Sequence, residues 1–586
     1  MLQADRVPEA LAQVILERGE GNPFFLEELA RAVLEHGQVG ADTIVPETIQ
    51  GVLMARMDRL ADTPRRVLQT ASVLGREVPL RLLGAVWQEA APLPPQLQEL
   101  QRLELIYEQV GREPGFVFKH ALTQDVAYET LLAGRRRALH AAAGRALEAR
   151  YADRLEEVYD RLAHHYARTH ESPKAVEYLT RFAAKAARVH AHPDAARALE
   201  EAQAHVARLP ADEQDRQLVE LAVVLAASNY FLGRFRDTVD LLERHRARLD
   251  QLRDTGLGGR FYFELAHAHS HLGNYQQAVA CAERAIAAAA RAGDSATQGK
   301  AHYVLAKESM WVSRFQEGLD HARRAVELMQ PTGERFWLGQ SLNWQGLNLY
   351  FMGELDAALA CAARGFAIGE ELGDHRLQSY AAWNRAFYSA TRGDEDEAIA
   401  WGHRSIELSP DPLNNSFSLG WTGYAYLERG DADQAIRLLE ESIDLLAGMG
   451  YSRLVGWFKG WLAEAYLLRG DAAQAQTEAL HGLQISGEVG FKWAVGLAQR
   501  ALGNIARAGS DHGEGERRLG EALRTFEAIG SRFDAGRTHL ALAELARAQR
   551  QAGSAAEHLE AAGQLFAQLR VQSYIARIEQ LRAGHG

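Results

Sequence analysis

The chain has 586 residues, a formal net charge of −12 and two cysteines, with only 15 prolines in a composition dominated by helix-forming residues. The acidic charge is spread along the sequence rather than gathered in a tail, which argues against nonspecific attraction to nucleic acid or to a membrane surface. No run of ~18 apolar residues occurs and the first twenty residues mix charges, so no membrane span or signal peptide is expected and a cytoplasmic chain is the reading.

Residues 1–45 open with an amphipathic helix over 8–18. Gly21-Asn22-Pro23 then forces a turn, and Phe25, Leu29, Ala32 and Val33 recur at helical spacing. From 46 to 150, a helix carrying Leu53, Met57 and Leu60 precedes helices over 65–74, near 80–87 and over 97–103. Strands over 104–109 and 116–120, joined by a turn at 110–115, follow them. Helices followed by a hairpin outline a winged helix. That region has 14 basic and 12 acidic side chains, and Arg135-Arg136-Arg137 is its one basic cluster, read as a solvated helix face. A DNA-contacting surface needs a clearer basic face. Residues 151–227 read as less regular helical units.

From 228 to 586 a turn mark recurs at Gly233, Gly273, Ser313, Gly353, Gly393, Gly430 and Gly470, in steps of 40, 40, 40, 40, 37 and 40 residues. A second mark follows most of these 20 residues later, from Gly293 to Gly530. Small residues stand five after the first mark (Ala278, Gly318, Ala358), seven before it (Ala266, Ala306, Gly346) and twelve after it (Ala285, Ala325, Gly365). Helices approach closely only where side chains are small, so three such columns imply three helix–helix contacts per unit. The pattern resembles the tetratricopeptide repeat (TPR) in a long form. The expected fold is all-α: a right-handed TPR-like solenoid of about 40-residue repeats, preceded by a helical lid remnant and a winged-helix domain.

In that repeat the first helix of each unit lines the concave surface. Reading its inward positions gives Tyr303, Lys307 and Trp311, then Asn343, Tyr350 and Phe351, then Tyr380, Trp383 and Phe387, then Phe417, Tyr424 and Trp457. Nine of the ten tryptophans lie between Trp311 and Trp493. Exposed aromatics with a few amides and a lysine suit a protein, peptide or small ligand. The alternative is that these side chains pack between units.

The GNPFFLEEL stretch at 21–29 resembles the helical lid of signal-transduction ATPases with numerous domains (STAND ATPases). VPETIQGVLMARMDRL, FVFKHALTQDVAYETLL and RRRALHAAAGRALE extend that resemblance from 46 to about 166, across the winged helix that follows the lid in that family. The relevant members are bacterial proteins that couple the ATPase to TPRs, sometimes behind a class III adenylate or guanylate cyclase domain. The resemblance implies that Asn22 and Pro23 lie at a bound nucleotide, Pro23 against its adenine. It also implies that His120 senses the β-phosphate, although Ala121 replaces the acidic residue that often follows. The other reading of His120 is a cap for the next helix. ATP or ADP would be bound only with an upstream ATPase core.

No phosphate-binding loop is present: residues 293–300 have the wrong spacer, Ala301 in place of Ser or Thr, and a helix–turn–helix context. His267 and His271 are i,i+4 neighbours with no HExxH pattern, and His164-His165 and His190/His192 carry less, so no metal site is assigned. Cys281 and Cys361 occupy the same position two units apart, too far for a disulfide. The chain is therefore expected to be a noncatalytic regulatory or sensor module. Its solenoid would recognise a ligand and its lid and winged helix would relay occupancy to an ATPase or cyclase, opening it for self-assembly. The alternatives are a freestanding TPR scaffold and a winged-helix DNA-binding regulator. Whether Met1 is the natural start is left open.

Overall fold

In the computed structural model, which describes residues 26–27, 48–109 and 113–583, the chain is an all-α, TPR-like helical solenoid with one small sheet near its beginning. It divides into two compact units, residues 1–232 and 233–586. The helix expected over 8–18, and Asn22 and Pro23, lie outside the described residues.

Unit 1 begins with α1 (Ile49–Asp58), α2 (Asp62–Leu74), β1 (Glu77–Pro79), α3 (Leu80–Val86), α4 (Leu93–Arg102), β2 (Ile106–Gln109) and β3 (Gly115–Phe118). The strands form an antiparallel sheet in the order β1-β3-β2, with Val78 opposite Phe116 and Ile106 opposite Phe118. The hairpin lies where the sequence pattern puts it. Strand β1 was not expected, because three residues with a single buried side chain carry no readable alternation. A side chain at Gly115 would stand 2.6 Å from the Val78 carbonyl oxygen, so this strand pair needs glycine there. Val52, Leu53, Val67, Leu68, Leu83 and Leu100 form the core beneath.

Next come α5 (Ala121–Glu129) and α6 (Ala133–Arg150). Arg136 is not simply solvated. Its guanidinium lies 4.4 Å from the Tyr128 ring and donates to the carbonyls of Tyr128, Glu129 and Leu131 at and just beyond the end of α5. Helices α7 (Tyr159–Tyr166), α8 (Ser172–Arg188), α9 (His192–Val206) and α10 (Ala211–Phe231) complete the unit.

Unit 2 alternates outer and inner helices. The outer ones are α11 (Phe235–Leu252), α13 (Tyr275–Ala292), α15 (Phe315–Met329), α17 (Leu355–Leu372), α19 (Glu395–Glu407), α21 (Ala432–Gly448), α23 (Ala472–Val489), α25 (His512–Ala528) and α27 (Ala552–Leu569). The inner ones are α12 (Thr255–His271), α14 (Ser295–Trp311), α16 (Arg335–Phe351), α18 (His375–Arg392), α20 (Pro412–Arg429), α22 (Ser452–Arg469), α24 (Lys492–Ala508), α26 (Arg532–Ala548) and α28 (Gln572–Ala583).

Local chemistry sets these boundaries. Gly293 ends α13 in the left-handed region (φ 70°), and Asp294 accepts the Thr297 amide at 3.0 Å to start α14. Asp374, Asp431, Asp471 and Asp511 cap their helices in the same way. The turn mark persists where glycine is missing: Ser313, Ser510 and Arg550 hold φ of 61°, 63° and 61°. The three small columns are buried between helices, and a Cβ at Gly318 would lie 2.2 Å from Asn348 Oδ1.

The solenoid then meets itself. Trp493 N–H donates to Ser313 Oγ at 3.1 Å, and Arg532 Nε to the Met352 carbonyl at 3.0 Å, each across 180 residues. Arg453 reaches the turn at Gly273, and Ser573 the turn at Gly393, with the same offset. An offset of 180 residues at a 40-residue period is about four and a half units per superhelical turn. Each inner-to-outer turn therefore abuts the start of an inner helix one turn later, along a continuous seam.

Candidate functional site

Inner helices of successive units pack on one another, and the seam adds contacts from one superhelical turn to the next. Trp383 stacks on Trp421 (centroids 4.9 Å, interplanar 6°), Trp421 meets Trp457 edge-on at 4.7 Å, and Trp457 lies 4.7 Å from Trp493. Trp311 reaches across the turn to Phe491 at 5.3 Å, and Phe351 to Trp493 at 5.2 Å. Tyr350 packs on Phe387 at 4.1 Å, and its hydroxyl shares Thr391 with that of Tyr424.

Tyr303, Lys307, Trp311, Tyr350, Phe351, Trp383, Phe387, Phe417, Tyr424 and Trp457 thus face the interior, but they are buried there, and Tyr380 is half-buried. Their expected exposure is corrected: the superhelix is wound tightly enough for successive turns to cover the inner face. Asn343 does not join them. A Cβ at Gly365 would lie 2.9 Å from its Oδ1, so it fills the contact between α16 and α17. Trp344, Trp421 and Trp461, which stand nine residues before the turn mark, were missed as inner residues. Tryptophan at that position in three of the seven units was itself a usable signal.

Two cavities open on this interior. One, about 30 Å³, lies among His271, Lys307, Trp311, Trp383, Trp421 and Trp457. Burial pushes the Lys307 amine down to about 7, with Glu308 opposing and Arg453 adding to the shift. Glu308 is held by Arg453 through two hydrogen bonds of 3.1 and 3.0 Å and by Ser270 at 2.5 Å. Burial holds His267 and His271 neutral, with Lys307 reinforcing this, and their Nε2 atoms are 3.2 Å apart.

The second cavity, about 440 Å³, is polar. Arg537 binds Glu428 and Glu464 at 2.9 and 3.2 Å, and Arg500 binds Asp534 at 2.8 Å. Arg507 and Arg577 share Glu544 at 3.1 and 2.7 Å. Its guanidinium groups are thus neutralised in place.

In unit 1, His120 sits at the N-cap of α5, half-buried, and its side chain makes no capping bond to that helix. Its neighbour Lys119 is ion-paired with Glu27 at 2.5 Å and with Glu104 at 3.1 Å. His140, 24 residues upstream of His164, joins the His164-His165 pair. Their nearest nitrogens lie within 4.8 Å of one another, the one such set among the described residues. His140 Nδ1 lies 2.9 Å from His165 Nδ1 and His140 Nε2 lies 2.9 Å from the Tyr128 hydroxyl. Arg136, Arg161 and Arg168 surround the cluster, an unfavourable setting for a dication. Cys281 and Cys361 are buried free thiols. No helix among the described residues is long and apolar enough to cross a membrane.

These features define a TPR-like helical solenoid. A tetratricopeptide repeat family profile matches residues 259–291, which span most of α12 and α13. No curated protein matches the sequence significantly. A Rap protein solved in complex with competence and sporulation factor is 12% identical with a TM-score of 0.51, over 60% of this chain and 98% of that one. A STAND protein with a tetratricopeptide repeat sensor from Pyrococcus horikoshii is 14% identical with a TM-score of 0.49, over 83% of this chain and 70% of that one. The apo form of RapI is 10% identical with a TM-score of 0.38, over 46% of this chain and 98% of that one.

Proposed function

We propose that the chain is a noncatalytic sensor module in which unit 2 binds a protein, peptide or small ligand on its inner face and unit 1 relays occupancy to a nucleotide-dependent partner domain. The observation that carries the first half is the closed seam. The interior holds a buried lysine and four buried indole N–H groups without acceptors, a costly arrangement for a scaffold and a useful one for a site that opens. The bound factor in the similarly folded Rap structure accords with a peptide or protein partner.

The relay half rests on the STAND-like lid and winged-helix motifs. The order helix, strand, two helices, hairpin suits a winged helix, and the Glu27–Lys119 pair ties the lid segment to the strand that leads into His120. The reading gives Asn22, Pro23 and His120 to the nucleotide, ATP or ADP, of an ATPase or cyclase regulator. DNA binding is disfavoured, since Arg135 is paired with Glu89 and Arg136 is turned onto α5.

Spin labels on Gln276→Cys and Ser452→Cys, with both native cysteines replaced by Ala, would straddle the seam. A ligand that raises the melting temperature should lengthen their separation. A separation that never changes in the presence of such ligands would sink the sensor reading.

A further inference from the structure

Among the described residues, the small cavity of unit 2 is lined by indole N–H groups, a lysine, a histidine and tyrosines, and by no acidic side chain. Lys307 is 2% exposed, and its Nζ has one hydrogen-bond partner, His271 Nε2 at 3.3 Å. The buried indole N–H groups of Trp311, Trp383, Trp421 and Trp457, which line the same cavity, have no acceptor. Glu308 cannot serve them, since Arg453 and Ser270 already occupy its oxygens. Donors without acceptors, inside a wall of rings, call for an occupant that brings acceptors on an apolar body. Of the lining residues, Lys307 is the one lysine or arginine, so the charge it matches is a single negative one, that of a carboxylate.

We propose that this cavity anchors a monocarboxylate carried on an apolar body, with Lys307 holding the carboxylate and the indoles supplying N–H bonds and walls. The proposal rests on reading unit 2 as a sensor and assigns its ligand class. In the closed solenoid the cavity has room for one or two waters, so the occupant enters as the seam parts. His271, Lys307 and Trp311 come from one superhelical turn and Trp457 from the next, and the Glu308–Arg453 pair clamps the two together.

A bound carboxylate also changes the proton balance. The Lys307 amine, lowered to about 7 by burial, faces Glu308 on its own helix, neutral His267 and His271 on α12, and Arg453 on α22. An added negative charge favours the ammonium form, so binding at about pH 8 takes up close to one proton.

The test titrates phenylacetate, 3-phenylpropionate and octanoate, each beside its primary amide, into the full chain, read by tryptophan fluorescence and calorimetry. At least one acid is expected to bind about tenfold more tightly than its amide, with proton uptake. Lys307→Met should erase that preference while circular dichroism is retained. If that variant fails to fold, Lys307→Gln, which keeps a polar side chain and loses the charge, should erase the preference in its place. Equal binding of acid and amide, a preference that survives both variants, or no acid binding at about 10 mM would each overturn the assignment. All three leave the sensor reading standing if the seam labels still separate with another ligand; labels that never separate remove that reading instead.

Discussion

Lys307 sits where its charge opposes folding. Its amine ordinarily titrates at 10.5 and is lowered to about 7, so between those values the unfolded chain holds a proton that the folded chain releases. Stability is therefore fullest above the unfolded value and falls as pH drops toward the folded one. Lys307→Met should raise the unfolding free energy by about 2–4 kcal/mol at pH 7 and by much less near pH 10.5, measured by urea denaturation at both. A loss of stability at pH 7 would mean that the His271 contact outweighs desolvation. Sequence spacing put Lys307 on the inner face. It could not show His271 or the Glu308–Arg453 pair beside it, because those contacts depend on how neighbouring units and successive turns register. Trp383 shows the same limit: stacked on Trp421, it is a core residue, and Trp383→Ala should cost about 3–5 kcal/mol and blunt the thermal transition.

Helices α6 and α7 carry a pH response of their own. Burial lowers His140 to about 3 and His164 to about 4, and takes His165 well below the ordinary value, with neighbouring histidines and arginines adding to each. Depressed values mean that the unfolded chain binds protons first as pH falls. The stability due to the buried His140 and His165 is whole above about pH 6.5 and is lost on acidification toward those lower values, at up to roughly 1.4 kcal/mol per pH unit for each, while the exposed His164 is screened by solvent and contributes less. His140→Gln should make the fall of the melting temperature between about pH 6.5 and 4 shallower; an unchanged slope would exclude the cluster as its source. Elements themselves were readable. The hairpin, the glycine-marked turns of unit 2 and the small columns follow from residues close in sequence. Strand β1 was not, since its pairing with β3 comes from the sheet rather than from its three residues.

For the solenoid as a whole, the seam is the contact that the proposed sensor role requires to open. Arg453→Glu with Arg532→Glu sets like charges against Glu308 and Glu354 and should part the turns. The expected signature is a larger radius of gyration in small-angle scattering and red-shifted tryptophan emission, with helical circular dichroism retained. An unchanged radius would show that ring packing alone holds the closed state.

The repeat period, the turn positions and the close helix contacts were determined by the sequence, because each depends on residues within one unit or its neighbour. Whether the aromatic inner face is an open groove or a closed core was decided by the tertiary structure. It turns on the pitch, the sum of small rotations over about four and a half units, and on contacts between residues 180 positions apart that no local pattern encodes.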